Sequence, residues 1–338
     1  MPSTHKLTLP DWGCAKRRDD GIVQPMLSGT VSVILATFNG ASYLRQQLES
    51  LACQTFLPTE LVVGDDGSWD ETCSIIERFI AVTPFAVRVL SPLAQRLGPC
   101  LNFARLMQLA RGDYIFFCDQ DDVWLPDKIF VTLEEMQRLE AEHGINVPCL
   151  VHTDLKVISA DGSEIASSYW RYQHFKPQLS NKLQVILSQN LVTGCTMMLN
   201  RAAISSIGQI PQHGPLMHDW WIALAVNALG GHVSALNYQT VLYRQHPKNV
   251  IGACSGWQHV MRKLLPENSL AGELRATQQQ AAAFLRRFGL DIPPQHRRLI
   301  QDYAQLSECG FWARRMTLWR HGIHKSGKHR TLGLYLHV

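Results

Sequence analysis

Three carboxylates, Asp119, Asp121 and Asp122, stand within four positions directly after the apolar run Tyr114 to Phe117. Like charges packed that tightly repel and raise each other's pKa, which costs stability unless something positive sits against them. Carboxylates two apart at a strand end point the same way, and their oxygens suit a hard divalent ion, Mg²⁺ or Mn²⁺. Such ions keep waters and share themselves with substrate phosphates. Two more polar turns follow apolar runs: Thr37-Phe38-Asn39-Gly40 and Gly64-Asp65-Asp66-Gly67-Ser68. A single acidic turn after a strand is ordinarily a helix N-cap, the role expected for Asp70 and Asp127. Three such turns read instead as one rim, because open parallel sheets bind ligands outside the carboxyl ends of their strands. Asp219 opens another apolar stretch, between His218 and the pair Trp220-Trp221. A helix N-terminus lowers its pKa, whereas tryptophan faces push it towards a stronger base. On the residues alone, Asp219 also reads as a plain N-cap beside two core tryptophans, and His246 as a surface-loop histidine.

The elements that must position these residues are legible in the hydrophobic rhythm. Short β-branched runs at 31–38, 60–66, 85–90, 113–118 and 148–155 read as strands. They alternate with helical spacing at 41–54, 70–82, 100–110 and, after Pro126, 127–142. That alternation predicts an α/β fold with a Rossmann-like, mostly parallel sheet flanked by helices. Beyond 155 the spacing predicts a hairpin around Asp161-Gly162, a strand over 193–201 and a helix over 218–230. The chain from about 255 reads as helical and basic, with arginine pairs interleaved with Trp312 and Trp319.

With 338 residues, 46% hydrophobic and 18% charged, the chain can bury a sizeable core and is not of disordered composition. Its net charge of +4 hides an asymmetry: residues 261–338 carry 13 Lys+Arg against 5 Asp+Glu, leaving about −4 for the rest. That basic tail reads either as a solvated helical face or as a surface for anionic membrane; nucleic acid is not expected as a partner. Nine cysteines without a CxxC pair fit reduced thiols in the cytoplasm. The first residues show no apolar leader, and the longest apolar stretch, from Trp220, is broken by Asn227, Gly230, Gly231 and His232. A buried helix followed by a strand is the expectation there.

Taken together, "VSVILATFNGASYLRQQLESLACQTF", "ELVVGDDGSWDET", "GDYIFFCDQDDVWLPDKI", "TGCTMMLNR", "HDWW" and "YRQHPKNVIG" resemble a family-2 inverting glycosyltransferase with the GT-A fold. The "DQDDVW", "HDWW" and "QHPKNVIG" forms are most similar to bacterial rhamnosyltransferases of cell-surface polysaccharide synthesis. The resemblance covers roughly residues 30–252. It implies an N-terminal arm (1–28) and a transferase domain (29–252) whose halves, 29–125 and 126–252, bind nucleotide and acceptor. A basic, helical C-terminal extension (253–338) follows. Thr37 and Asn39 would line the nucleotide pocket, Asp66 would accept from a pyrimidine N3–H, and Asp65 and Ser68 would shape the loop. Asp119 would lie near the ribose and diphosphate. Asp121, with Asp119 and His246, would hold the metal, and Arg244 and His246 would face the diphosphate. Gly194, Met197, His218 and Trp220 fall on the acceptor side, as does Trp124, which is either a core anchor or a lid over the sugar. Asp219 would be the catalytic base. Gly64 departs from the family's apolar residue and is expected only to loosen the turn.

The implied reaction uses a nucleotide-sugar donor, dTDP-β-L-rhamnose or a UDP-hexose such as UDP-glucose or UDP-galactose. The acceptor would be a glycan or lipid-linked oligosaccharide, reached from the inner face of the cell membrane. Two other classes stay open on the residues: a haloacid-dehalogenase-like phosphatase, since Asp119 to Val123 also spells DxDx[TV], and a non-catalytic sugar-nucleotide or glycan binding module.

Overall fold

The structure, a computed structural model, describes residues 27–247, 249 and 270–338. Residues 1–26 of the expected N-terminal arm and most of the stretch 248–269 lie outside the described residues.

Among these residues nine strands form one sheet. They are β1 (Val31–Thr37), β2 (Glu60–Asp65), β3 (Ala86–Val89), β4 (Tyr114–Cys118), β5 (Val123–Trp124), β6 (Cys149–Ser159), β7 (Glu164–Ala166), β8 (Met197–Asn200) and β9 (His232–Gln245). The order is β3-β2-β1-β4-β8-β6-β9-β5, with β7 beside β6. The four strands from β3 to β4 run parallel, as the alternating helices require. β8 then inserts antiparallel between β4 and β6, so the sheet becomes mixed on its second side.

The helices are α1 (Leu44–Ala52), α2 (Thr72–Ile80), α3 (Gly98–Leu109), α4 (Lys128–His143), α5 (Tyr169–Tyr172), α6 (Leu183–Ile186), α7 (Arg201–Ile207) and α8 (His218–Ala228). Four more follow: α9 (Leu270–Phe288), α10 (Pro294–Ala304), α11 (Phe311–His321) and α12 (Lys328–His337). The alternation of side chains along β1 sorts the core into two. Val31, Val33 and Leu35 pack with α1, α2 and α4, while Ile34 faces the other way, into a cluster with α3, α7 and α8. The C-terminal helices enter that second cluster through Phe284, Phe288, Ile300, Tyr303, Leu318 and Leu334.

The hairpin forms as expected, with Gly162 at φ 92° in the turn between β6 and β7. Two cap expectations resolve differently. Glu71 holds the cap position of α2 without a side-chain bond, and Asp70, one residue before it, accepts the amide of the first helical residue, Thr72, at 3.0 Å. Asp127 precedes α4 but caps nothing with its side chain, which takes the Tyr238 hydroxyl at 2.5 Å instead. Gly64 also needs correcting. It lies inside β2, and a Cβ there would stand 2.5 Å from Asn102 Oδ1, so the glycine admits a close side chain and does not loosen a turn.

Candidate active site

The turns after β1 and β2 are locked together by a dense set of hydrogen bonds. Asp65 accepts the Thr37 hydroxyl at 2.8 Å, the Ser68 hydroxyl at 2.6 Å and the amides of Gly67 and Ser68 at 3.1 and 2.8 Å. Asn39, in the left-handed region at φ 48°, donates its backbone amide to the Ser68 hydroxyl oxygen and accepts the Trp69 amide on its side-chain oxygen. The carboxylate of Asp66 accepts the amides of Leu97 and Gly98, both at 2.8 Å, at the mouth of α3. A carboxylate has about four acceptor positions, so these two bonds orient Asp66 and leave it room for one more donor. Thr37, Asn39, Asp65, Asp66 and Ser68 are therefore gathered at one rim.

Gln120 joins this rim to the turn after β4. Its carboxamide pairs with both backbone groups of Phe38, at 2.8 and 3.0 Å. Gly40 gives it space, since a Cβ there would lie 2.3 Å from Gln120 Oε1. The carboxylates of the turn then diverge. Asp121 meets His246, Oδ2 to Nε2 at 2.8 Å, whereas Asp119 groups with Asp122 and the Cys195 thiol, their donor atoms within 4.8 Å of one another. The expected set of Asp119, Asp121 and His246 is thus divided between two neighbouring clusters, and the two alternate carboxylates do not share one orientation.

Asp122, fully buried, accepts the Arg244 amide at 3.1 Å on one oxygen, while its other oxygen has no hydrogen-bond partner. Burial, then the charges of Asp121 and Asp119, hold its carboxyl well above the ordinary range. Asp119 is pushed up to about 7 by burial and by the charges of Asp121 and Asp219. Behind the turn lies Lys128, completely buried, 4.6 Å over the Trp124 ring and 3.4 Å from the Thr240 hydroxyl. Burial lowers its ammonium to about 8.

Arg244 requires a correction. Its guanidinium is buried and each of its three nitrogens is engaged, with Nε on the Asp121 carbonyl (3.1 Å), one Nη on the Ala160 carbonyl (3.1 Å) and the other on Gln46 (2.6 Å). It clamps the acidic turn to the end of β9 and does not face a diphosphate. Trp124 and Met197 are corrected likewise. Trp124 is buried against Phe116, and Met197 is buried in the sheet core, so neither reaches an acceptor. That leaves Trp124 a core anchor and not a lid.

Asp219 sits in the first turn of α8, almost fully buried, with Met217 in the capping position. It accepts the amides of Trp220 and Gly194, at 2.6 and 3.1 Å, and a bond from the Asn190 side chain. Burial outweighs those bonds and raises its pKa to about 6. His218 beside it is buried between Phe103 and Phe117 with both ring nitrogens unpartnered, and burial lowers it to about 3. Gly194 is where these residues meet, since a Cβ would approach His218 Nε2 to 2.8 Å. Trp220 is half-buried and donates to the Ile186 carbonyl at 2.6 Å.

The charge balance of the acidic turn fits a divalent cation. No Lys or Arg side chain forms an ion pair with Asp119, Asp121 or Asp122 among the described residues. Asp119 and Asp121 offer hard carboxylate oxygens, and His246, paired with Asp121, adds a borderline nitrogen beside them. Burial keeps Cys195 protonated, so the Asp119-Asp122-Cys195 group is the poorer cage. Sequence reasoning missed Cys195, Asn190, Gln120 and Lys128. Gln120 alone carried a signal, standing inside the acidic motif.

Comparison with known proteins identifies the family and the fold. The sequence pattern described as Glycosyl transferase family 2 matches residues 32–208. A dTDP-rhamnosyl transferase, RfbG of Shigella flexneri, is 25% identical over 65% of this chain and 74% of its own. An uncharacterized protein of Mycobacterium tuberculosis is 27% identical over 65% of this chain, which spans only 60% of that protein's length. The fold is shared with S. aureus TarS in complex with UDP (TM-score 0.50, 18% identity, 87% of this chain and 92% of that one). It is shared too with a Pyrobaculum calidifontis mannosyltransferase in complex with GDP-Man and Mn2+ (TM-score 0.53, 20% identity, 88% and 75%).

Proposed function

Because the chain belongs to glycosyl transferase family 2, we propose that it is a metal-dependent inverting transferase moving L-rhamnose from dTDP-β-L-rhamnose. The acceptor is a hydroxyl of a growing cell-surface polysaccharide or lipid-linked oligosaccharide, so the work is done at the inner face of the cell membrane. The single observation carrying this reading is an acidic turn after β4 that no Lys or Arg side chain pairs among the described residues, with the buried Asp219 near enough for its charge to help raise the Asp119 carboxyl. The likeness to RfbG supports the choice of rhamnose.

In this reading Asp66 takes the pyrimidine N3–H on its remaining acceptor position, and Thr37, Asn39 and Ser68 hold the loop that receives the nucleoside. Asp121, Asp119 and His246 hold Mg²⁺ or Mn²⁺, which when bound offsets the negative charge growing on the departing diphosphate. Asp219 removes the acceptor hydroxyl's proton as that oxygen attacks the anomeric carbon from the face opposite the leaving group. A pKa near 6 leaves it ionised at neutral pH yet more basic than an exposed aspartate. His218, held neutral, and Gly194 shape the acceptor side. Inversion of a β-linked donor gives an α-rhamnoside.

The test is a thermal-shift and hydrolysis screen across dTDP-rhamnose, UDP-glucose, UDP-galactose and GDP-mannose with Mn²⁺. The expected outcome is stabilisation by dTDP with metal, lost in Asp121→Ala, and turnover of dTDP-rhamnose alone. Absence of any shift with every nucleotide sugar overturns the transferase reading; preference for a UDP-hexose overturns only the choice of donor.

A further inference from the structure

The last two helices expose more apolar surface than a solvated face needs. On α11, Trp312, Met316 and Trp319 are spaced four and three residues apart and so share one face. Trp312 is 76% exposed and Trp319 71% exposed. On α12, Leu332 and Leu336 repeat the pattern four residues apart, both exposed. Arg315 joins the two helices, donating to the Leu336 carbonyl at 3.2 Å and lying 3.5 Å over the Phe311 ring. Exposed large side chains at helical spacing on neighbouring helices form a patch, which on a soluble protein marks an interaction surface.

The charge around the patch says what covers it. Arg320 and Lys328 are exposed beside these side chains, and no acidic residue occurs between 309 and 338. A second copy of the chain would be a poor occupant, because a two-fold contact on this face sets arginine and lysine against themselves. Tryptophans over a basic rim match the headgroup region of a bilayer, where the ring spans the apolar boundary and cations meet anionic lipid.

We propose that the α11–α12 face seats the protein on a membrane surface containing anionic lipid. The turn between these helices ties this face to the candidate site: His324 offers its carbonyl to Ser188 at 3.0 Å, and the Ser326 amide donates to Gln189 at 2.7 Å. The next residue is Asn190, the side-chain partner of Asp219. Docking would therefore hold the Asp219 side of the mouth close to the bilayer. That purpose rests on the reading of the acceptor as lipid-linked; the binding itself does not.

The full chain is sedimented with vesicles of phosphatidylcholine alone and of phosphatidylcholine with phosphatidylglycerol, at low and high salt. Binding is expected only with phosphatidylglycerol, weakening with salt, and with a blue shift of tryptophan emission. The double variants Trp312→Ser/Trp319→Ser and Arg320→Glu/Lys328→Glu should each cut the bound fraction at least tenfold while melting as the parent chain does. Equal binding of parent and variants, or none by the parent, overturns the proposal. So does loss of a dimer in the variants, which would give the face to a second copy. Because no sugar is transferred in this assay, its failure is separable from failure of the donor screen.

Discussion

The two sides of the acidic mouth are built on opposite terms. On the side built by the turns after β1 and β2, every acceptor of Asp65 is filled and Asn39 is strapped from both directions. On the other side Asp122 keeps a bare oxygen, His218 keeps two bare nitrogens, and Asp219 is buried where its charge is disfavoured. A loop that only has to present a shape can be satisfied in advance. In the proposed reading Asp219 must act on a reacting partner, and burial disfavours its charge despite the bonds it accepts, which costs stability in the resting protein.

Breaking the second side should have the largest effect. Asp219→Asn is expected to reduce kcat by ~10²–10⁴, the usual worth of a positioned general base. The same variant should be the more stable protein. Asp219 has a folded pKa near 6 against an ordinary 3.8, so the folded form holds a proton that the unfolded form releases between those values. Its contribution therefore turns unfavourable as pH rises from about 4 to 6 and stays so above. Removing the charge should raise stability at pH 7.5 by on the order of 1–3 kcal/mol, read as a higher Tm. The activity of the parent chain should climb with pH through about 6 and then level; a flat profile across that range, or a lower Tm in the variant, removes Asp219 from the role.

Breaking the first side should hurt folding and donor affinity more than turnover. Asp65→Ala strips four hydrogen bonds from one loop and is expected to cost ~1–3 kcal/mol of stability, with KM for the donor rising further than kcat falls. Equal loss in both constants would place Asp65 in the chemistry. The contrast is sharpened, with a smaller effect, by Gly194→Ala. Its methyl group would press on His218 and shift the amide that bonds Asp219. A cost of ~1–3 kcal/mol is typical of such overpacking, and here kcat should fall at unchanged donor KM.

Much of the scaffold was readable because buried strands and amphipathic helices have different periods. The strands β1, β2, β4 and the start of β6 lie within a residue or two of their apolar runs. β5 was not readable, because a two-residue strand exists only through its pairing with β9. β8 was found as a strand, but its antiparallel seat between β4 and β6 depends on which neighbours it meets, and local pattern does not carry that. The candidate site divided in the same way. Residues in polar turns after strands, such as Asp65, Asp66 and Asp121, announce themselves by standing at an apolar boundary. Arg244 and Trp124 were misplaced because a buried arginine and an exposed one look alike in sequence, and the difference lies in three carbonyl and amide oxygens from distant segments. Cys195 and Asn190 gave no signal at all, since only the fold carries them to Asp122 and Asp219.

Lys128 carries a consequence for alkaline conditions. An amine sealed inside the protein with a pKa near 8 gives up its proton well before the same amine does in the unfolded chain, near 10.5. Across that interval the unfolded chain binds the extra proton, so this lysine's share of stability grows as the solution becomes more basic. A cation placed behind an acidic mouth thus acts as a hidden base-side reserve, strengthening the interior in the range where surface lysines elsewhere begin to lose their charge.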